Sequence, residues 1–197
     1  MNFLAHIYLS GEDDFVKIGN FMADSIRGSQ YLEYPNSIQK GILLHRHIDS
    51  FTDSHSIYRK SKHRLHEKYG HYSGVIMDIT YDHFLAKNWE KYSVIPLENY
   101  AEDFYKLLQN NYDILTDRIK GMLPYMIERN WLLSYVTISG LEMILFQMDY
   151  RTKHRVHMQE AITEIKQFYK EFEFEFFLFF EQLLQSCQQK LLELNEA

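Results

Sequence analysis

The sequence contains little that cross-links or bends a chain. Among its 197 residues there are one cysteine, three prolines and eight glycines. A single cysteine, Cys187, excludes an internal disulfide and is typical of a reducing compartment. So few prolines and glycines leave little material for the turns of a many-stranded sheet. We therefore expect an all-α fold.

Long apolar runs and a basic leader are also lacking. No stretch approaches the roughly 18–20 apolar residues that a membrane-spanning helix needs. The opening, MNFLAHIYLSGEDD, does not have the pattern of a signal peptide. The net charge of −6 argues against a general nucleic-acid binder. We expect a cytoplasmic protein that neither enters a membrane nor binds nucleic acid.

What the chain does contain favours a packed helical core. The hydrophobic fraction is 46% and the aromatic fraction 16%, and this length suits one domain. We predict a single helical bundle over residues 1–197. Its functional residues are expected mainly in residues 1–92, and the helices of 97–197 complete the bundle.

Apolar periodicity and turn residues predict the main helices. In the last of them, the piece FEFEF alternates like a strand, but its flanks are rich in good helix formers. Pro124 is expected to break the chain. The predicted helical stretches are 2–9, 14–27, 41–55, 56–69, 72–92, one or two helices in 97–120, a helix or bent pair in 126–150, and a window over 155–194.

The stretch 41–55, GILLHRHIDSFTDSH, places His45, Asp49 and Asp53 at intervals of four. On a helix these side chains lie along one face. A divalent cation would compensate the charge of two carboxylates beside an imidazole, since carboxylate and imidazole are both natural ligands of such a cation. The alternative is a solvated polar face whose carboxylates pair with neighbouring arginines.

Three other segments repeat this chemistry among apolar neighbours, at His6, Asp24 and the pair Asp82 and His83. Repetition on several helices favours one shared metal site, since each buried polar group would otherwise need its own partner. Zinc patterns such as CxxC or HExxH are not present. Mixed imidazole and carboxylate ligation suits Mn²⁺, Mg²⁺ or Fe²⁺, which can activate water for phosphate-ester hydrolysis.

Residues 59–68, RKSKHRLHEK, form a local excess of positive charge in an acidic chain. Such a face can steer an acidic macromolecule towards the protein. A charge run is otherwise simply a solvated helix face.

Four motifs in order resemble the acyl carrier protein phosphodiesterases, distant relatives of the HD phosphohydrolases. They are MNFLAHIYLS at the start, GNFMAD at 19–24, GILLHRHIDSFTDSH at 41–55 and DITYDHFLAKNW at 78–89. The resemblance is strong over residues 1–92 and weak after them. It implies an all-α, HD-domain-like fold, a metal cofactor that is usually Mn²⁺, and release of 4′-phosphopantetheine from acyl carrier protein. The adjacent His-Asp pair of that superfamily does not occur here, and Asp82-His83 has the reverse order.

The resemblance assigns roles to the candidate residues. We expect metal ligands at Asp24, His45, Asp49 and Asp82, and catalytic groups at His6, His83 and Asp53. The acidic carrier protein would dock on the basic residues Arg59, Lys60, Lys62 and Arg64, and Arg46 or Arg59 would hold a phosphate oxygen. Two other functions stay open: an HD-type phosphatase or nucleotidase for a small phosphate ester, and a non-catalytic helical binding module.

Overall fold

A computed structural model describes residues 1–196, apart from the side chain of Arg151. The all-α prediction is confirmed, because these residues form helices and contain no strand. Within the described part of the chain, no helix is both long enough and apolar enough to cross a membrane.

The helices are α1 (Phe3–Tyr8), α2 (Asp14–Met22), α3 (Asn36–Ser54), α4 (Ser56–Tyr69), α5 (Ser73–Lys87), α6 (Leu97–Asn110), α7 (Asp117–Glu128), α8 (Trp131–Ser134), α9 (Ile138–Arg151), α10 (Ile162–Gln167) and α11 (Tyr169–Glu196). Short 3₁₀ turns join several of them.

Helices α2 and α3 pack with unusually close backbones. A Cβ atom added at Gly19 would lie 2.2 Å from the carbonyl oxygen of Ile38, and one at Gly41 would lie 2.2 Å from that of Val16. Both positions therefore require glycine, which has no Cβ. This close approach brings the middle of α2 against the middle of α3.

Helix α11 supplies the aromatic centre of the core. Phe172, Phe176, Phe179 and Phe180 are fully buried, whereas Phe174 is exposed. The FEFEF piece is thus helical, as predicted, since its alternate phenylalanines do not lie on one face. The helix packs against α3, α4 and α5, so the C-terminal part of the chain supports the elements that carry the candidate residues.

Several helix boundaries differ from the prediction. Helix α2 ends at Met22 and a 3₁₀ turn over Ala23–Ser25 follows, so Asp24 lies in this turn and not on α2. Helix α5 ends at Lys87, and the window over 155–194 is divided at Phe168.

The prediction that Pro124 breaks the chain is wrong. This residue lies inside α7. Its flanking residue Leu123 and the nearby Met126 are buried, and their burial offsets the loss of one helical hydrogen bond.

Candidate metal centre

One pocket of about 330 Å³ gathers side chains from α1, α2, α3, α5 and α9. Its wall includes Asn2, Phe3, His6, Asn20, Phe21, Asp24, His45, Asp49, Thr52, Asp53, Val75, Asp78 and Met148. Of the seven metal and catalytic candidates predicted from the sequence, five lie here: His6, Asp24, His45, Asp49 and Asp53.

Asn20 fixes the orientation of both imidazoles. Its amide nitrogen donates to the carbonyl oxygen of His6 and to Ser10 Oγ, at 2.9 Å each. Its Oδ1 atom therefore accepts, from Nδ1 of His6 at 2.8 Å and Nδ1 of His45 at 3.1 Å. The Nδ1 atom of His45 also lies 2.9 Å from the carbonyl oxygen of Asn20. With both Nδ1 atoms protonated, both Nε2 atoms face the pocket.

The two Nε2 atoms converge on one carboxylate. Oδ1 of Asp49 lies 3.3 Å from Nε2 of His6, and Oδ2 lies 3.1 Å from Nε2 of His45. Asp24 approaches the same His45 nitrogen at 3.3 Å. The imidazole rings stack with centroids 4.1 Å apart. One ligand atom from each of His6, His45 and Asp49 lies within 4.8 Å of the other two, a spacing suited to one metal ion.

The two imidazoles and the carboxylates of this pocket shift one another's pKa values. Burial would lower the pKa of His45, but hydrogen bonds with Asp24 and Asp49 raise it to about 9. Burial and the nearby His45 lower the pKa of His6. Burial would raise the pKa of Asp49, but hydrogen bonds from His45 and His6 hold it well below its ordinary range. The carboxylate is thus ionised, as a metal ligand must be.

The donor set fits a borderline divalent cation. Two imidazoles and one carboxylate, leaving open positions, are typical of Fe²⁺ sites and suit Mn²⁺. Mg²⁺ prefers an all-oxygen environment, so this ligand set favours Mg²⁺ less.

Thr52 is buried on the pocket wall, and its Oγ1 atom has no hydrogen-bond partner among the described residues. An unsatisfied buried hydroxyl is uncommon.

Asp82, predicted as a metal ligand, has a different position. Its carboxylate accepts hydrogen bonds from the backbone N–H groups of Asn2, Leu4 and Ala5, at 3.0, 2.7 and 3.3 Å. It thereby satisfies free N–H groups at the start of α1, although burial raises its pKa to about 7. Asp82 is not on the pocket wall, so it positions His6 through α1 rather than contacting a metal.

His83, predicted as a catalytic group, also lies elsewhere. Its Nδ1 atom is 2.7 Å from the carbonyl oxygen of Tyr135, and its Nε2 atom is 2.7 Å from the hydroxyl of Tyr169. Burial lowers its pKa. Both ring nitrogens therefore have hydrogen-bond partners. The neutral imidazole stabilises the core, and the side chain does not reach the pocket.

Two of the predicted basic residues lie beside the pocket. The Nε atom of Arg59 donates to the carbonyl oxygen of Asp53 at 2.8 Å. The Nζ atom of Lys62 lies 5.7 Å from the ring centroid of Tyr58, whose hydroxyl donates to Asp78 at 2.7 Å. Asp53 and Asp78 line the pocket, so Arg59 contacts a residue of its wall directly and Lys62 is linked to the wall through Tyr58.

The other three basic residues have structural partners. Arg64 makes a bidentate pair with the buried Glu175, at 2.6 and 2.7 Å, and Lys60 lies 3.1 Å from the same carboxylate. Arg46 donates to the carbonyl oxygen of Gly28 at 2.7 Å and lies over the ring of Tyr31. It therefore stabilises the loop that follows Asp24, and these three charges are less available to a partner.

Sequence reasoning missed Asn20 and Thr52. Neither residue is among the candidates that the sequence predicted. The available signal was an amide within the apolar run IGNFM of residues 18–22, because a buried amide needs several partners.

Comparison with known proteins gives a consistent result. A family model described as acyl carrier protein phosphodiesterase matches residues 1–183. Relatives with the same name include one from Pectobacterium atrosepticum, 28% identical over 193 residues, covering 98% of this chain and 100% of the relative. One from Photorhabdus laumondii is 27% identical over 194 residues, covering 96% of each chain, and one from Klebsiella pneumoniae is 29% identical over 199 residues, covering 98% of this chain and 100% of the relative. No solved structure matches the chain.

Proposed function

The chain belongs to the acyl carrier protein phosphodiesterase family, and we propose that its pocket hydrolyses the phosphodiester joining 4′-phosphopantetheine to a serine of acyl carrier protein. The observation that carries this proposal is the convergence of His6, His45 and Asp49 in an open pocket. A hydrolase of this kind releases apo-acyl carrier protein and 4′-phosphopantetheine. Family membership supplies the substrate, and the pocket supplies a chemistry that suits it.

We assign the metal-holding role to His6, His45 and Asp49, with Asp24 as a further carboxylate beside His45. This moves His6 from the predicted catalytic groups to the ligands, because its Nε2 atom shares Asp49 with His45. When bound, a divalent cation would lower the pKa of water and neutralise charge on phosphoryl oxygens. Mn²⁺ remains our predicted metal, with Fe²⁺ as the alternative that the ligand set also supports.

Asp53 is the remaining predicted catalytic group on the pocket wall. In the hydrolysis, the oxygen of a water bonds to phosphorus while the bond from phosphorus to the serine oxygen breaks, and the proton that the water gives up balances the proton that the serine oxygen takes up. We assign this proton transfer to Asp53, whose exposed carboxylate lines the pocket.

The carrier protein would approach from the side of Arg59 and Lys62. Both cations are attached to parts of the pocket wall, at Asp53 and near Asp78. An acidic protein surface would be attracted to them before its serine reaches the site. A cytoplasmic location, predicted from the single cysteine, agrees with this substrate and stays a prediction.

The test is direct measurement of the reaction. Purified protein, stripped of metal and then supplied with Mn²⁺, should convert holo- to apo-acyl carrier protein, observed by intact-protein mass spectrometry together with free 4′-phosphopantetheine. Excess chelator should abolish the conversion, and added Mn²⁺ or Fe²⁺ should restore it.

Two outcomes would contradict the proposal. Full conversion in the presence of excess chelator would exclude a metal-dependent reaction. Faster hydrolysis of nucleotides or small phosphate esters than of holo-acyl carrier protein would favour the HD-type phosphatase function.

A further inference from the structure

Three side chains on the wall of the metal pocket are exposed to solvent. They are Asp24, Asp53 and Val75. The two carboxylates carry charge of the same sign as an acidic carrier protein, whereas Val75 is apolar and 37% exposed. A protein that delivers a serine to the pocket must pack its own surface against this mouth, so it meets these exposed residues. Val75 is the one of the three whose burial favours such a contact.

Val75 belongs to a small apolar surface at the start of α5. A 3₁₀ turn over Gly70–Tyr72 leads directly into this helix. Tyr72 is 40% exposed and has helical backbone angles. Because it precedes Val75 by three residues, both side chains lie on the same side of the helix. Tyrosine is enriched where proteins contact one another, since its ring is apolar and its hydroxyl is polar.

A lysine of α4 lies against the same place. Gly74 is the residue before Val75, and a Cβ atom added to it would be 3.7 Å from Cδ of Lys62. The hydroxyl of Tyr58 lies 3.1 Å from the carbonyl oxygen of Gly74. The stem of Lys62 therefore lies beside the first turn of α5, next to the exposed apolar side chains.

The charge of Lys62 is available to a partner protein. Other cations of α4 are paired, since Lys60 and Arg64 both contact Glu175. Lys62 forms no ion pair with a carboxylate in the part of the chain that the structure describes. One cation thus adjoins two exposed apolar side chains at the pocket mouth. We call this surface the mouth patch, and its members are Lys62, Tyr72 and Val75.

We propose that the mouth patch binds the carrier protein where one of its apolar side chains is flanked by carboxylates. The inference rests on the proposed function and deepens it, because it names a contact that only a protein substrate can make. A second copy of this chain seated on the patch would cover part of the pocket mouth and hinder the substrate. The carrier protein is therefore the occupant that both the charge and the position of the patch favour.

The patch combines two attractions that respond differently to salt. Lys62, together with Arg59, attracts an acidic partner over a distance that ionic strength shortens. Burial of Tyr72 and Val75 acts only on contact and does not depend on charge. The apolar contribution can therefore be measured separately from the electrostatic one.

Two variants remove the apolar contact without adding charge. Val75→Ser and Tyr72→Ser each shorten an exposed side chain, and they are made singly and together. The matched controls are Val94→Ser and Tyr125→Ser, since these residues are exposed, at 101% and 55%, and neither lines the metal pocket. Circular dichroism and thermal unfolding check that every variant keeps the wild-type fold.

The first readout is the Kd of apo-acyl carrier protein for the Mn²⁺-loaded protein, measured by fluorescence anisotropy at low and high ionic strength. The apo form has neither the arm nor the phosphate, so it reports contact between the two protein surfaces and is not turned over. We expect each single variant to weaken binding about threefold and the double variant about tenfold. The factor should be the same at both ionic strengths, and the controls should keep the wild-type Kd.

The second readout is kcat/KM with holo-acyl carrier protein divided by kcat/KM with bis(4-nitrophenyl) phosphate, which has no protein part. We expect this ratio to fall about tenfold in the double variant, through KM for the carrier protein, and to stay at the wild-type value in the controls. A variant that only loosened α5 would instead lower kcat with both substrates, which would contradict the docking role.

The results separate this inference from the proposed function. Release of 4′-phosphopantetheine by the wild type, with control-like Kd and ratio in the double variant, would overturn the mouth patch and leave the function standing. Binding that depends on the patch, without any release by the wild type, would refute the function and leave the docking surface standing. A wild type that binds no apo-acyl carrier protein would overturn the inference. So would a wild-type dimer that the double variant converts to a monomer in light scattering, because the occupant would then be a second copy.

Discussion

At the residue scale, the chemistry depends on a few atoms that Asn20 holds in place. One amide oxygen accepts from both imidazoles, and the amide nitrogen is anchored on His6 and Ser10. This arrangement selects the tautomer in which both Nε2 atoms face Asp49. Partners of metal-binding imidazoles generally tune both orientation and affinity.

Replacing Asp49 should remove activity without unfolding the protein. In Asp49→Ala the two imidazoles lose the carboxylate they share, so we expect turnover of holo-acyl carrier protein to fall by about three orders of magnitude or more. The side chain is half-exposed, at 47%, so the thermal midpoint should stay near wild type. Elemental analysis should show loss of bound metal. The control Asp103→Ala, at an exposed site on α6, should retain both metal and activity, and a metal-loaded, active Asp49→Ala would exclude this ligand.

Replacing Asn20 should weaken the metal site through the imidazoles. Asn20→Ala removes the shared acceptor, and we expect a loss of about 10–100-fold in metal affinity. The buried amide also bonds to Ser10 and the His6 carbonyl, so stability should fall by about 1–3 kcal/mol. Metal titration at constant pH separates the two effects, since excess Mn²⁺ should restore much of the turnover. Unchanged affinity in the folded variant would contradict the orienting role.

At the scale of secondary structure, the close contact of α2 and α3 brings Asn20 to His45. Neither Gly19 nor Gly41 leaves room for a Cβ atom against the facing backbone. Periodicity alone predicted both helices, but it could not show that their backbones touch, because glycine is also common at helix ends.

Gly41→Ala should therefore impair both stability and function. The added methyl group would lie only 2.2 Å from the carbonyl oxygen of Val16 and 2.7 Å from the backbone nitrogen of Asn20, so the helices must separate. We expect a loss of about 1–3 kcal/mol in unfolding free energy, with weaker metal binding. The control is Gly121→Ala in α7, where no atom lies within 4 Å of the added group, and stability should stay equal or rise by up to about 1 kcal/mol. Equal behaviour of the two variants would contradict the close-packing argument.

Helices α4 and α11 are joined by an ion pair whose effect depends on pH. Burial would raise the pKa of Glu175, but Arg64, Ser61 and Lys60 lower it below the ordinary value of 4.5. An acid with a depressed folded-state pKa stabilises the protein above its unfolded pKa, and this stabilisation is lost as pH falls through the folded pKa.

Glu175→Gln should therefore destabilise the protein by about 2 kcal/mol at pH 7. The difference from wild type should shrink as the pH falls below 4.5, the ordinary pKa of this group. Urea unfolding at pH 7, 5 and 3.5 measures it. The control Glu173→Gln disrupts a partly exposed pair with Lys87 and should cost less than about 1 kcal/mol. A pH-independent difference would contradict the assigned ionisation.

At the scale of the whole molecule, charge and shape give the pocket two different ends. The net charge is −6, but Arg59 and Lys62 lie beside the pocket wall formed by Asp53 and Asp78. The apolar end lies at Phe3 and Met148. An acidic partner protein would be attracted to the side of Arg59 and Lys62.

Charge reversal should weaken the encounter with the carrier protein. For the double variant Arg59→Glu and Lys62→Glu, we expect kcat/KM with holo-acyl carrier protein to fall about tenfold or more at low salt, and its salt dependence to decrease. Stopped-flow or steady-state assays over a range of ionic strength measure both effects. The control Lys170→Glu, exposed at the start of α11, should retain the wild-type salt dependence. A wild-type salt profile in the double variant would contradict this docking surface.

The sequence by itself determined the helical class and most helix positions, and it indicated the residue types of the candidate metal site. Helical spacing is a local property, so placing His45, Asp49 and Asp53 on one face required no knowledge of distant residues. The structure does not bring Asp82 and His83 to the pocket that holds the other candidates, for a physical reason. Both are buried polar groups on a core helix, and only tertiary packing decides whether such a group faces a cavity or the backbone of another segment. Asp82 meets the N–H groups of α1, and His83 meets Tyr135 and Tyr169, contacts between residues far apart in sequence that no local pattern encodes.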